Sequence, residues 1–119
     1  MNEIYKEECD EVLLQDEYKG HKYVIKTMGY YPTAYVSVDK DIEDDYALKS
    51  VYCGITYHST ESIHLNGLDE SLMWIGWDYG HALDYIYPVM RKDYLTQHSL
   101  EEIEQCCKKV IDEIIEKGL

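Results

Sequence analysis

Phenylalanine is missing from the 119 residues, and proline occurs only twice. Every one of the 13 tyrosines and 2 tryptophans therefore brings a polar group that can stay at a wet surface. An AT-rich coding sequence would enrich Phe along with Tyr, so codon composition does not explain the pattern. Cations are scarce as well: 11 Lys and Arg stand against 24 Asp and Glu, for a net charge of −13 with histidine neutral. A chain so acidic is repelled by the phosphates of DNA and RNA and by anionic membrane surfaces. No apolar run approaches the roughly 20 residues that span a bilayer. The start, Met1 to Glu8, is opposite in sign to a secretory leader, so a cytoplasmic location is expected. Cys9, Cys53, Cys106 and Cys107 form no CxxC pair, and the adjacent two cannot bridge each other without strain, which argues against a disulfide scaffold. No repeat and no Gly-, Ser- or Pro-rich linker divides the chain, and one domain over residues 1–119 is expected.

What remains is enough to build a core, since 45% of the residues are hydrophobic. Ser99 and Glu102 are spaced as a capping box. Beyond them Ile103, Cys106 or Cys107, Val110, Ile111, Ile114 and Ile115 recur at threes and fours, and Gly118 supplies the stop, so an amphipathic helix from Ser99 to Lys117 is predicted. Four runs rich in Val, Ile, Tyr, Thr and Trp read as strands: His21 to Met28, Thr33 to Asp39, Val51 to His58 and Met73 to Tyr79. The short Gly29-Tyr30-Tyr31-Pro32 link between the first two favours an antiparallel pair. Ahead of Lys19, Ile4, Val12, Leu13 and Leu14 suggest a helix weakened by carboxylates. The expected class is α+β: a small antiparallel curved sheet, the C-terminal amphipathic helix and one or two further short helices.

Half of the acids precede residue 46, in two groups, Glu3 to Glu17 and Asp39 to Asp45. The second group supplies Asp39, Asp41, Glu43, Asp44 and Asp45 as candidate contacts to a basic partner. Such a surface can imitate a phosphate backbone and compete for a basic groove; the plainer reading is a solvated loop.

The segment Trp74 to Tyr85 carries the most specific signal. Asp78, His81 and Asp84 are spaced three and three, so a tight turn after a strand can converge them. Between Ser50 and Met90 there is no Lys or Arg, and a buried carboxylate beside two tryptophans needs a countercharge. A zinc ion would supply it, with Cys53 as the first choice of fourth donor and His58 or His64 behind it. Structural roles stay open at the same residues: Asp78 can cap the following turn, and His81 can hydrogen-bond to either carboxylate.

Two blocks, Gly54-Ile55-Thr56-Tyr57 and Trp74-Ile75-Gly76-Trp77-Asp78-x-x-His81-Ala82-x-Asp84, resemble a family of small phage and prophage proteins. The likeness spans roughly residues 20 to 85. Family members commonly carry His-Gly-Gly where this chain has Tyr52-Cys53-Gly54, which removes one histidine donor and leaves Cys53 nearest to replace it. The resemblance implies a metal-containing inhibitor of type II-A Cas9, an anti-CRISPR protein. The basic channel of Cas9 is chemically suited to an acidic partner. The competing expectations are a small metal-dependent hydrolase, a nucleotide-signal-binding counter-defence protein, and an accessory binding domain in which the Asp-x-x-His-x-x-Asp residues merely stabilise a turn.

Overall fold

The computed structural model describes residues 4–81, 84–87 and 95–119. Five strands and one helix follow in chain order: β1 (Glu11–Tyr18), β2 (His21–Thr27), β3 (Pro32–Val38), β4 (Tyr57–His58), β5 (Met73–Asp78) and α1 (Leu100–Lys117). All strand pairs are antiparallel, in the order β1-β2-β3-β5-β4, so the protein is α+β.

Lys19 and Gly20, both at positive φ, form the two-residue turn between β1 and β2, the geometry whose twist matches that of the flanking strands. The segment expected to be a helix before Lys19 is therefore the edge strand of a hairpin over 11–18. Register slips between Val12 and Leu14, a bulge that lets Leu13 and Leu14 both pack toward the helix side. Three consecutive apolar residues fit a bulged strand better than a helical stripe. The expected strand Val51 to His58 is also corrected: only Tyr57–His58 pairs in the sheet. Cys53 and Gly54 turn the chain at positive φ (59° and 90°) just before it, which interrupts the extended run. Among the described residues α1 is the only helix, so the further short helices are not found there.

The sheet is covered on both faces, which is why β3 is buried along its whole length and β2 along its last five residues instead of alternating. On one face α1 contributes Ile103, Cys107, Val110, Ile111 and Ile114 to a core with Ile25, Val36, Ile75 and Trp77. Cys107, not Cys106, is the fully buried member of the pair. Burying each large aliphatic side chain contributes about 1.5–3 kcal/mol before conformational entropy is charged, enough to dock a helix of this length. Its ends follow the sequence reading: Ser99 Oγ accepts from Glu102 N, and Gly118 closes the helix at φ 67° with hydrogen bonds back to Ile114 and Ile115.

The other face is covered by the 59–72 loop, which packs Leu68 on Val24, Tyr35 and Trp74. Lys26, with no exposed side-chain surface, fastens this side: its Nζ donates to Asn66 O at 2.5 Å and to Asp10 Oδ1 at 2.7 Å. A buried ammonium is tolerated because both contacts are oxygen acceptors and one is charged. No helix among the described residues is long and apolar enough to cross a membrane.

Candidate functional site

The end of β5 delivers Asp78 and the turn after it delivers His81. Asp78 Oδ1 accepts from Gly80 N at 3.0 Å, the turn-capping role, and Oδ2 accepts from Thr56 Oγ1 at 3.2 Å. His81 Nε2 lies 3.4 Å from Asp78 Oδ1, buried and without a hydrogen bond of proper geometry.

Asp84 points elsewhere. Its Oδ1 accepts from Tyr52 OH and from His98 Nε2, each at 2.7 Å, and its Oδ2 accepts from His81 N at 3.0 Å. Three donors satisfy a carboxylate that is only 1% exposed. Around it the rings close up: Tyr52 stacks on Tyr79 at 4.8 Å, and His98 sits 4.6 Å from Tyr79 and 5.1 Å from Tyr52. The Tyr52 phenol is pushed well above its ordinary range, by burial first and by the Asp84 carboxylate second. A pocket of about 420 Å³ opens beside these rings, lined also by Lys49, Glu102 and Cys106. Cys106 Sγ donates to Ser50 O at 3.3 Å, and burial pushes its thiol up, so it is a poor nucleophile.

The four expected metal donors thus fall into separate places. Asp78 and His81 adjoin each other, Asp84 is committed to Tyr52 and His98, and Cys53 is exposed in its turn. Among the described residues no group of three or more His, Cys, Asp or Glu is arranged to hold a metal ion. The donor set as placed does not fit a four-coordinate zinc site, because Asp84 would have to leave its three donors to join one.

The acidic loop is built more firmly than a solvated run requires. Ile42 and Leu48 are buried in the main core, and Ile55 N donates to Asp45 O at 2.9 Å. Asp41 and Asp45 turn inward onto His58, at 2.9 Å to Nδ1 and 2.6 Å to Nε2. Asp39, Glu43 and Asp44 are exposed, and between them and the Gly54 turn stands Tyr46, 77% exposed. The Tyr46 ring edge lies over Gly54, where a Cβ would come within 2.7 Å of it. Gly54 of the Gly-Ile-Thr-Tyr block therefore both permits the positive φ and makes room for this aromatic.

Sequence reasoning missed His98, Tyr52 as a hydrogen-bond donor, and the pairing of His58 with the acidic loop. The absence of Lys and Arg between Ser50 and Met90 was the available signal, since it left Asp84 to hydroxyl, amide and imidazole donors or to a cation from outside that stretch. Comparison with protein families, with curated proteins and with solved structures finds no match to this chain.

Proposed function

We propose that the protein acts by stoichiometric binding to a basic protein surface, with a Cas9-type nuclease as the partner that the phage-family resemblance implies. The observation that carries this reading is Tyr46, 77% exposed and seated on Gly54, in a loop that also presents Asp39, Glu43 and Asp44. A tyrosine held in place and ringed by charge has the makings of an interface anchor: the ring buries area at low entropic cost, and the carboxylates steer a cationic surface toward it. Ile63, 88% exposed, adds a second apolar contact from the 59–72 loop. The net charge of −13 strengthens the attraction and makes it dependent on salt.

The hydrolase reading has weaker support. Asp84 is 1% exposed and its oxygens are taken up by Tyr52, His98 and His81 N, and burial pushes the neighbouring Cys106 thiol up, away from the thiolate. Mixing purified protein with Cas9, with and without guide RNA, tests the binding reading by size-exclusion chromatography and by cleavage of a target plasmid. The expected result is a complex that weakens as salt rises, with cleavage suppressed. The double reversal Asp39→Lys, Glu43→Lys should weaken that complex at least tenfold while leaving the melting temperature unchanged, because both side chains are exposed, whereas Asp44 Oδ1 accepts from Tyr46 N at 2.9 Å and is left in place. Full cleavage in excess protein removes Cas9 as the partner.

A further inference from the structure

We infer that His58 is a proton-operated latch that fixes the acidic loop against the edge of the sheet. His58 sits on β4, paired across to Ile75 of β5, and its side chain is 11% exposed. Its two ring nitrogens face two carboxylates: Nδ1 is 2.9 Å from Asp41 Oδ1, and Nε2 is 2.6 Å from Asp45 Oδ1. A neutral imidazole has one N–H, and an ionised carboxylate has none to give. Both bonds are made at once only by the imidazolium, so this geometry specifies a bound proton. Each bond is charge-assisted, the stronger class of hydrogen bond.

Among the described residues, the charged groups that bear on His58 are these two carboxylates. Ile75 of β5 brings none, and the turn that follows contributes only the N–H groups of Glu61 and Ser62, both on His58 O at 3.0 Å. Burial pulls the His58 imidazole down, but the hydrogen bonds and charges of Asp41 and Asp45 outweigh it and hold the ring above its ordinary pKa. When the proton leaves, one ring nitrogen presents a lone pair to a carboxylate. Asp41 is 16% exposed and also takes Thr60 Oγ1 at 3.3 Å, whereas Asp45 is 50% exposed. Asp45 is therefore the partner that swings out, because water is available to it. Tyr46 follows it in sequence, so its amide, held on Asp44 Oδ1 at 2.9 Å, lies close enough to report the movement of the Asp45 carboxylate. The consequence for a partner rests on the proposed binding function: opening the latch removes the positive charge of the imidazolium from beside the loop and frees the Asp45 carboxylate.

Long-range nitrogen–proton NMR spectra of the full-length ¹⁵N-labelled protein, recorded from pH 5 to 10, test the latch directly. At pH 7 both ring nitrogens of His58 should show the protonated signature, and the Tyr46 amide should shift with the same midpoint as the ring. In His58→Gln the Tyr46 response at that midpoint should vanish, while the indole signals of Trp74 and Trp77 keep their positions. Asp45→Asn should move the His58 midpoint downward, which keeps the test available if the glutamine variant fails to fold. A neutral His58 at pH 7, or a Tyr46 amide indifferent to its titration, overturns the latch. Loss of Cas9 binding with an intact His58 titration would instead remove the binding reading alone.

Discussion

Asp84 Oδ1 and His98 Nε2 meet at 2.7 Å across 14 residues of sequence, in a site where the carboxylate is 1% exposed. His98 N also donates to Tyr5 OH at 3.0 Å, so the residue just ahead of the helix cap is fastened by ring and backbone together. This relationship decides between two accounts of the Asp78 to Asp84 segment. Removing a donor from a buried carboxylate leaves a charge with an unmet bond, a loss of about 3 kcal/mol. His98→Ala should carry that loss. His81→Ala should cost under about 1 kcal/mol, since its Nε2 makes no hydrogen bond and its backbone N–H to Asp84 survives the substitution. Urea unfolding of both variants measures the order. A zinc ion held by Asp78, His81 and Asp84 reverses it, and total metal analysis of untagged protein then identifies the ion.

Glu113 ties the far end of the acidic loop to the helix. Its Oε2 accepts from Lys49 N at 2.9 Å and its Oε1 from Ser50 N at 2.8 Å, while Lys117 Nζ lies 2.8 Å away. Burial raises the carboxyl, but the ammonium and the two amides overcome it and hold its pKa at about 2. A carboxyl depressed by folding contributes stability above its unfolded pKa of about 4.3, and that contribution is lost as pH falls through the folded value. Glu113→Gln should therefore be less stable than the parent at pH 7, by about 1–3 kcal/mol, and the gap should narrow steadily between about pH 4.3 and pH 2. Thermal melts of the two proteins over that range check it; a constant gap would mean that the charge does not hold the loop.

Gly76 lies in the middle of β5, where a residue without a side chain ordinarily weakens a strand. Here the Tyr35 ring on β3 occupies the space, and a Cβ would fall inside it and within 3.0 Å of Ala34 O. Tyr35 in turn meets Tyr57 edge-on at 5.4 Å. Gly76→Ala should cost about 1–3 kcal/mol through displacement of Tyr35, and Tyr35→Ala should relieve part of that cost in the double variant. A double-mutant cycle by chemical denaturation reads the coupling, and additive losses would refute the contact.

Much of this architecture is legible in the amino-acid sequence. The helix was readable because its cap, stripe and stop are all local signals, and β2, β3 and β5 because a strand covered on both faces is a continuous run of β-forming residues. β1 was misread because a bulge puts Leu13 and Leu14 side by side on one face, which defeats both periodicities. The 51–56 segment was misread because Val51 and Ile55 are buried as they would be in a strand, while Cys53 and Gly54 turn the chain between them. At the candidate site, spacing identified Asp78 and His81 as neighbours. It could not show that Asp84 turns to His98 and Tyr52, because that choice is made by tertiary packing of rings that lie 14 and 32 residues away.

The cysteines offer a chemical test of the turn geometry. Cys53 is exposed at positive φ in the turn beneath Tyr46's loop, whereas Cys107 is fully buried and Cys106 is partly buried with its thiol on Ser50 O. Burial pushes both helix thiols up, Cys107 well up, so neither presents appreciable thiolate near neutral pH. Since the thiolate is the reactive form, an aromatic disulfide reagent should modify Cys53 at least tenfold faster than Cys106 or Cys107 in the native protein, and all should react alike in urea. Mass spectrometry of digested protein after a short exposure assigns the labelled positions. Fast labelling of Cys106 would show that the helix does not close over Tyr52 and Tyr79, and the enclosed Asp84–His98 pair would then have to be redrawn as an open one.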